Sequence, residues 1–323
     1  MRQTELGGAG GLKVSNLCLG ALPFGTTVDE TTAYAILDCF VEAGGTFIDT
    51  SNNYACWVEG ATGYESEDLL GRWLADRRLR DEVVLATKVG ARPGAEGPGT
   101  REGLAARTVR AGVEGSLRRL GTDHVDLYYA HIADPGTPLE ESVAAFSAVV
   151  TEGRARMVGC SNHPADLLRR ERSLAADQGL VPYRVIQQRH TYLRPRDDAA
   201  FGVQEYVTGD LLDYVADQDD MSLLAYSILV NGAYTRPDRS FPEQYDRPDA
   251  APRLKVLREV AAEVGATPNQ VVLSWLLHGE PPVLPVIGVS SVEQLRECLA
   301  AADLDLDREL RERLDTAGIT RST

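Results

Sequence analysis

Strand-type apolar runs alternate with helix-length amphipathic stretches along the whole chain, and this alternation limits the possible folds more than any other feature. After LCLGALPFG comes a helical stretch from about Asp29 to Glu42, then TFIDT, a helix from about Glu65 to Ala75, and VVLATKV. A helix from about Thr108 to Leu120 precedes HVDLYYAH, and one from about Leu139 to Glu152 precedes ARMVGCSN. The stretch from Pro164 to Ala176 leads to YRVIQQ, that from Gly209 to Asp217 leads to SLLAYS, and two helices between Pro252 and His278 lead to VLPVIGV. Repetition of strand, helix and strand, with apolar strands, implies a parallel sheet covered by helices. Eight such units in 323 residues fit an α/β fold of the closed kind, a (β/α)8 TIM barrel with residues 1–323 as a single domain. An open doubly wound sheet is the alternative, but it normally carries a GxGxxG loop after its first strand, and LGALPFGTT has none. Glycines from Gly7 to Gly11 before LKVS mark an N-terminal β-hairpin able to plug the bottom of the barrel. The acidic C-terminal segment DLDLDRELRERLD reads as a solvated amphipathic helix.

Charge and cysteine usage narrow the function. A net charge of −15 leaves no basic stripe for a nucleic acid, so a soluble enzyme acting on a small molecule fits better. Five scattered cysteines without CxxC spacing suggest reduced thiols rather than a disulfide framework or structural zinc. The N-terminus MRQTELGGAGGLKVS lacks the apolar run of a signal peptide and no segment has the length of a membrane span, so a cytoplasmic protein is expected. Three loops, Asn52 to Tyr64, Val230 to Pro252 and the Gly/Pro-rich ARPGAEGPGT, are long or biased enough to shape a pocket.

Four residues at or just beyond the ends of strand-type runs form a candidate proton-handling set: Asp49 and Tyr54 in FIDTSNNY, Lys88 in VVLATK and His131 in VDLYYAH. A phenol with an unperturbed pKa near ~10 needs an adjacent cation to stabilise the phenolate it leaves behind. Lys88 is that cation, Asp49 holds and balances it, and His131 is expected to donate a hydrogen bond to a substrate oxygen. Strand ends are where a barrel keeps its chemistry. Taken singly, Asp49 reads as a turn residue, Tyr54 as a rim aromatic and His131 as a loop histidine; it is the set that carries function.

The chain resembles the aldo-keto reductases through LKVSNLCLGALPFG, FIDTSNNY, ATKVG, DLYYAH, VGCSN, QQRHTYL, AYSILVNG and PVIGVSSVEQLRE, in the family's order. The resemblance implies a barrel that reduces an aldehyde or ketone to an alcohol with a nicotinamide cofactor and no metal. It gives Tyr54 the role of general acid, with Asp49, Lys88 and His131 around it. It further implies that Ser161, Asn162 and Gln187 bind the nicotinamide carboxamide, and that Tyr226 stacks under the ring. Ser227, Leu229 and Gly232 would hold the pyrophosphate, and the stretch with Gly288, Ser290, Gln294, Glu297 and Cys298 the adenosine half. Phe24 and Trp57 are candidate substrate contacts.

Departures from the family pattern concern the cofactor end. Gly288, Ser290 and Gln294 stand where members using the phosphorylated cofactor commonly carry Lys or Arg, and Cys298 stands where an asparagine usually touches adenine. NADPH is expected over NADH, with a weakened preference; Arg236, Arg239 and Arg296 are candidate substitutes for the missing cation. Ile228 replaces a usual proline and His190 a frequent tyrosine. Ser161 and Asn162 have a second reading as caps of the helix near Pro164, and Ser290 with Glu293 has capping-box spacing. The alternative functions are a nicotinamide-loaded regulatory subunit with little turnover and a metal-dependent barrel hydrolase, the latter disfavoured because His131 lacks partners at ligand spacing.

Overall fold

The computed structural model describes residues 1–94 and 99–318, so part of the ARPGAEGPGT loop lies outside the described residues. Two short strands, β1 (Gln3–Leu6) and β2 (Leu12–Ser15), pair antiparallel as the expected hairpin. Then follow β3 (Cys18–Gly20), α1 (Glu30–Glu42), β4 (Phe47–Asp49), α2 (Glu65–Arg77), β5 (Val84–Val89), α3 (Ala106–Leu120), β6 (Val125–Ala130) and α4 (Leu139–Thr151). The second half continues with β7 (Ala155–Ser161), α5 (Ala165–Asp177), β8 (Val185–Arg189), α6 (Gly209–Ala216) and β9 (Ser222–Tyr226). It ends with α7 (Ala250–Glu263), α8 (Pro268–Leu277), β10 (Val283–Gly288), α9 (Val292–Ala300) and α10 (Arg308–Thr316). Strands β3 to β10 are all parallel and close in the order β10-β3-β4-β5-β6-β7-β8-β9, the (β/α)8 barrel that the alternation of runs implies.

Strand side chains alternate between two cores, as a two-residue period requires. Ile48, Leu85, Val89, Tyr128, Val158 and Ile186 join the helices in the outer core, whereas Phe47, Val84, Ala86, Leu127, Tyr129, Met157, Val185 and Leu224 fill the interior. Hairpin residues Leu6, Leu12 and Val14 pack into the same interior cluster, so the hairpin seals one end. It is fastened there by Gly7, whose N–H donates to Ser222 Oγ at 2.8 Å and whose carbonyl accepts from Arg184. Inside, Gly159 is required by close packing: a Cβ there would lie 2.7 Å from the Val185 carbonyl oxygen and 2.9 Å from the Tyr129 ring.

Two helix starts show why the elements begin where they do. Asp29 accepts from Thr32 N at 2.8 Å to cap α1, and Thr267 with Gln270 forms a capping box at α8. Pro164, not Ser161 or Asn162, stands at the N-cap of α5 and makes no side-chain cap, so that reading of the pair is corrected. At α9 the cap is Ser291, whose Oγ accepts from Gln294 N, rather than Ser290.

His190, just past β8, packs edge-on to Tyr206 and against Trp275, with ring centroids 5.5 and 5.7 Å away. Burial, reinforced by the Arg253 charge, pushes its imidazole from 6.5 down to about 4. The unfolded chain therefore takes up a proton that the folded one refuses, and stability falls as pH drops from 6.5 towards about 4. That loss is on the order of 3 kcal/mol for this residue. Urea unfolding at neutral and mildly acidic pH should show His190→Phe to be less acid-sensitive by about this amount; equal sensitivity would remove His190 as the cause.

Candidate active site

The four sequence-selected residues converge at the open end of the barrel. Asp49 ends β4, Lys88 is the penultimate residue of β5, His131 follows β6, and Tyr54 reaches back over the mouth from the loop after β4. Register places Asp49 beside Ala86, and Lys88 beside Tyr129. The Tyr54 hydroxyl donates to Asp49 Oδ2 at 2.7 Å and accepts from Lys88 Nζ at 2.6 Å. Lys88 also donates to Asp49 Oδ2 and, at 2.9 Å, to the Thr50 carbonyl. Gln187 Nε2 donates to the second Asp49 oxygen at 3.1 Å, so the carboxylate is held from both sides. Asp49 is fully buried, Lys88 essentially so, and Tyr54 is 8% exposed. The His131 ring stands edge-on to Tyr54 with centroids 6.1 Å apart, and its Nδ1 lies 3.0 Å from Ser51 Oγ.

Electrostatics differ from the sequence expectation in one respect. Burial first, and then the Asp49 carboxylate, hold the Tyr54 phenol well above its ordinary range, so the ligand-free phenol is firmly protonated rather than acidified. Desolvation outweighs the ammonium here because the same burial also holds Lys88 below the usual lysine range, against the pull of Asp49. His131 is held neutral, far below 6.5, by burial and by Lys88.

Around this centre lie Ser161, Asn162, Gln187 and Tyr226, four of the residues assigned to a cofactor. Ser161 ends β7 in register with Gln187 on β8, and its Oγ donates to the Gln187 carbonyl at 2.7 Å. Asn162, in the left-handed region at φ 57°, donates to the His131 carbonyl at 2.9 Å and accepts from the Tyr226 hydroxyl at 2.6 Å. After β9 the chain is strained: Ser227, Val230 and Asn231 have φ of 56°, 46° and 55°, and Gly232 of 85°. A β-branched residue in this region is an outlier that costs on the order of 1–3 kcal/mol. Such strain gathers at ligand sites, here on a loop whose Val230, Gly232 and Ala233 N–H groups donate to the carbonyls of Ser227, Leu229 and Val230.

The proton-handling set, the trio of Ser161, Asn162 and Gln187, and the strained loop after β9 all lie on or just after strands of the one barrel. A model of the Aldo/keto reductase family matches residues 16–319. The chain belongs to that family. Norsolorinic acid reductase stcV of Emericella nidulans is 33% identical over 324 aligned positions, covering 95% of this chain and 79% of that protein. The uncharacterized oxidoreductase YrpG of Bacillus subtilis is also 33% identical, covering 98% and 95%. Aryl-alcohol dehydrogenase GME11368 of Pestalotiopsis microspora is 28% identical, covering 95% and 80%. This aldo/keto reductase is accordingly an oxidoreductase of carbonyl groups, in a family that uses nicotinamide cofactors.

Other candidate residues of the reductase fall in different surroundings. Gly288 and Ser290 are exposed, and Gln294 Oε1 accepts from Ser290 N at 2.9 Å. Glu297 accepts from Thr267 Oγ1 at 2.7 Å and Asn269 Nδ2 at 3.2 Å, tying α9 to the start of α8. Leu229 is half-buried against the outer core, and Gly232 lies beneath Arg236. Cys298 is buried in the outer core, which corrects its assignment to an adenine contact. Phe24 is likewise corrected as a substrate contact: a tight turn, with its N–H on the Ala21 carbonyl at 3.1 Å, folds it into the core. Trp57 stays 65% exposed on the loop between β4 and α2.

Residues that the sequence did not single out also build the site. Thr50 supplies a carbonyl to Lys88, Ser51 meets His131, and Glu205 N donates to Asn162 Oδ1 at 3.2 Å from the long segment between β8 and α6. Arg189, half-buried at the end of β8, donates to Ser227 Oγ at 3.3 Å. Elsewhere, behind β7, Cys160, His163 and Glu171 bring ligand-type atoms within 4.8 Å of one another. No helix among the described residues is long and apolar enough to cross a membrane.

Proposed function

We propose that this chain reduces an aryl aldehyde or ketone to the alcohol, using NADPH in preference to NADH, with Tyr54 as general acid. The observation that carries the reading is the Tyr54 hydroxyl bridged between Lys88 Nζ at 2.6 Å and Asp49 at 2.7 Å at the end of a closed barrel. A reduced nicotinamide, when bound, supplies hydride to the carbonyl carbon. Tyr54 then passes its proton to the developing alkoxide, which is basic enough to take it even from a phenol held above its ordinary range. The phenolate left behind rests against the Lys88 ammonium, and Asp49 fixes that ammonium in place. Ser161, Asn162 and Gln187 are suited to orient the carboxamide, Tyr226 to support the ring, and the loop of Ser227, Leu229 and Gly232 to receive the pyrophosphate. The aryl preference rests on relatives whose names specify norsolorinic acid reduction and aryl-alcohol dehydrogenation, and on Trp57 at the rim.

Fluorescence titration with NADPH and NADH, followed by an aldehyde and ketone panel with the tighter dinucleotide, tests the reading. Binding of neither would remove it. Tight retention with negligible turnover would favour the regulatory-subunit alternative. For the missing adenosine-end cation, Arg236 is the candidate, since it lies over Gly232 and its one ion pair among the described residues is with Asp238, at 2.6 Å, on an exposed surface. Arg236→Ala should weaken NADPH about tenfold, the worth of a charge-assisted hydrogen bond, with NADH changed far less. Equal weakening of both dinucleotides would exclude a 2′-phosphate contact.

A further inference from the structure

A cavity of about 1470 Å³ lies apart from the proton-handling set. Its walls come from the segment after β8, from α7, from the end of α8 and from α10, and none of Asp49, Tyr54, Lys88, His131, Asn162 and Tyr226 lines it. Arg253 of α7 forms part of the wall and is only 2% exposed. A guanidinium has five N–H donors. Two of them bond the Tyr192 carbonyl and one that of Ala317, which leaves two. Asp249, a carboxylate in its field, is already held by Arg247 at 3.1 Å, and among the described residues Arg253 has no ion pair. A buried cation without a counter-ion is costly. His190, 8% exposed, lines the same cavity, and among the described residues neither of its ring nitrogens has a hydrogen-bond partner. Buried polar groups are almost always partnered, so two such groups on one cavity point to a ligand.

We propose that this cavity binds a small aromatic carboxylate, with Arg253 taking the carboxylate and His190, Tyr206 and Trp275 the ring. The planar fork of an arginine matches a carboxylate, and a bond between two charged groups is about twice as strong as a neutral one. The ring would meet an aromatic wall, since His190 packs on both Tyr206 and Trp275 with centroids 5.5 and 5.7 Å away. The Arg253 charge acts on His190, which sets the cation beside that wall. Acidic groups of the lining do not compete for it. Asp315 accepts from Trp275 Nε1 at 2.7 Å, Asp197 is paired with Arg247 at 2.6 Å and Glu312 with Arg308 at 2.8 Å, while Glu205 and Glu280 are exposed to water. Small-molecule pockets commonly enclose roughly 300–1,000 Å³, so there is room. The ligand is a second molecule and not the carbonyl substrate, and the inference does not rest on the carbonyl-reductase reading.

Calorimetric titration of the full-length protein with 1-naphthoate, and with 1-naphthylmethanol as its uncharged counterpart, tests this. The expected result is saturable one-to-one binding of the carboxylate, about tenfold tighter than of the alcohol, the worth of a charge-assisted hydrogen bond. Arg253→Gln should bring the two affinities close together. Because that side chain is buried and its loss can unfold the chain, Trp275→Leu serves as a second variant: it should weaken both compounds severalfold and keep the preference for the carboxylate. Saturating NADPH should leave naphthoate bound. The proposal is overturned by any of four results: no saturable binding of naphthoate, equal affinity for the two compounds in the wild type, displacement of naphthoate by NADPH, or unchanged affinities in Trp275→Leu. A folded Arg253→Gln that keeps the full preference for the carboxylate overturns it as well.

Discussion

Tyr54→Phe is expected to lower kcat for aldehyde reduction by about 10²- to 10⁴-fold, the usual contribution of a positioned general acid. The dinucleotide should still bind within about threefold, because the hydroxyl's two partners, Lys88 and Asp49, hold each other directly and remain joined when it is gone. The substitution removes one oxygen from a packed ring position, so the fold should persist and the comparison of kcat with dinucleotide affinity is clean. Stopped-flow kinetics and fluorescence titration give the two quantities. Turnover within a factor of about ten of wild type would mean that the proton reaches the alkoxide by another route, and the assignment of Tyr54 would fail.

The second large effect concerns stability. Lys88→Met should destabilise the fold by about 3–5 kcal/mol, because it leaves the Asp49 carboxylate buried without its cation. Gln187 and Tyr54 would still donate to that carboxylate, but neither neutral donor replaces the ammonium. Asp49→Asn combined with Lys88→Met should regain much of the loss, since a buried amide has no charge to compensate. Urea unfolding of the single and double variants measures both. A single-variant loss under about 1 kcal/mol would show that water reaches the pair, as it does in exposed ion pairs. Both variants should be inactive, so stability and not turnover discriminates here.

The barrel was legible because burial on both faces of each strand leaves continuous apolar runs, and each run is followed by a helix-length segment. VVLATK, VDLYYA and ARMVGCS correspond to β5, β6 and β7 to within a residue or so. The proton-handling set was legible for the same reason: Asp49, Lys88 and His131 each punctuate such a run with a polar group. The segment of residues 190–208 between β8 and α6 was not, because it has no periodicity, and its Phe201, Tyr206 and Glu205 find their partners only in three dimensions. Burial also escapes a local reading. Phe24 and Cys298 look like rim residues by position in sequence, yet a tight turn in one case and the inward face of α9 in the other bury both. The upward displacement of the Tyr54 phenol has the same origin, since a motif names the neighbouring cation and says nothing of the solvent excluded around it.

The hairpin of β1 and β2 makes the barrel a blind cup, stoppered at its base by Leu6, Leu12 and Val14. Everything that reacts inside it must pass the same rim. A dinucleotide settled against β7, β8 and β9 would form the floor on which the carbonyl compound lands, and so the two should arrive and depart in a fixed sequence, the dinucleotide first in and last out. Alcohol product should then inhibit noncompetitively against the dinucleotide, a pattern set by a four-residue strand pair on the far side of the molecule from the chemistry.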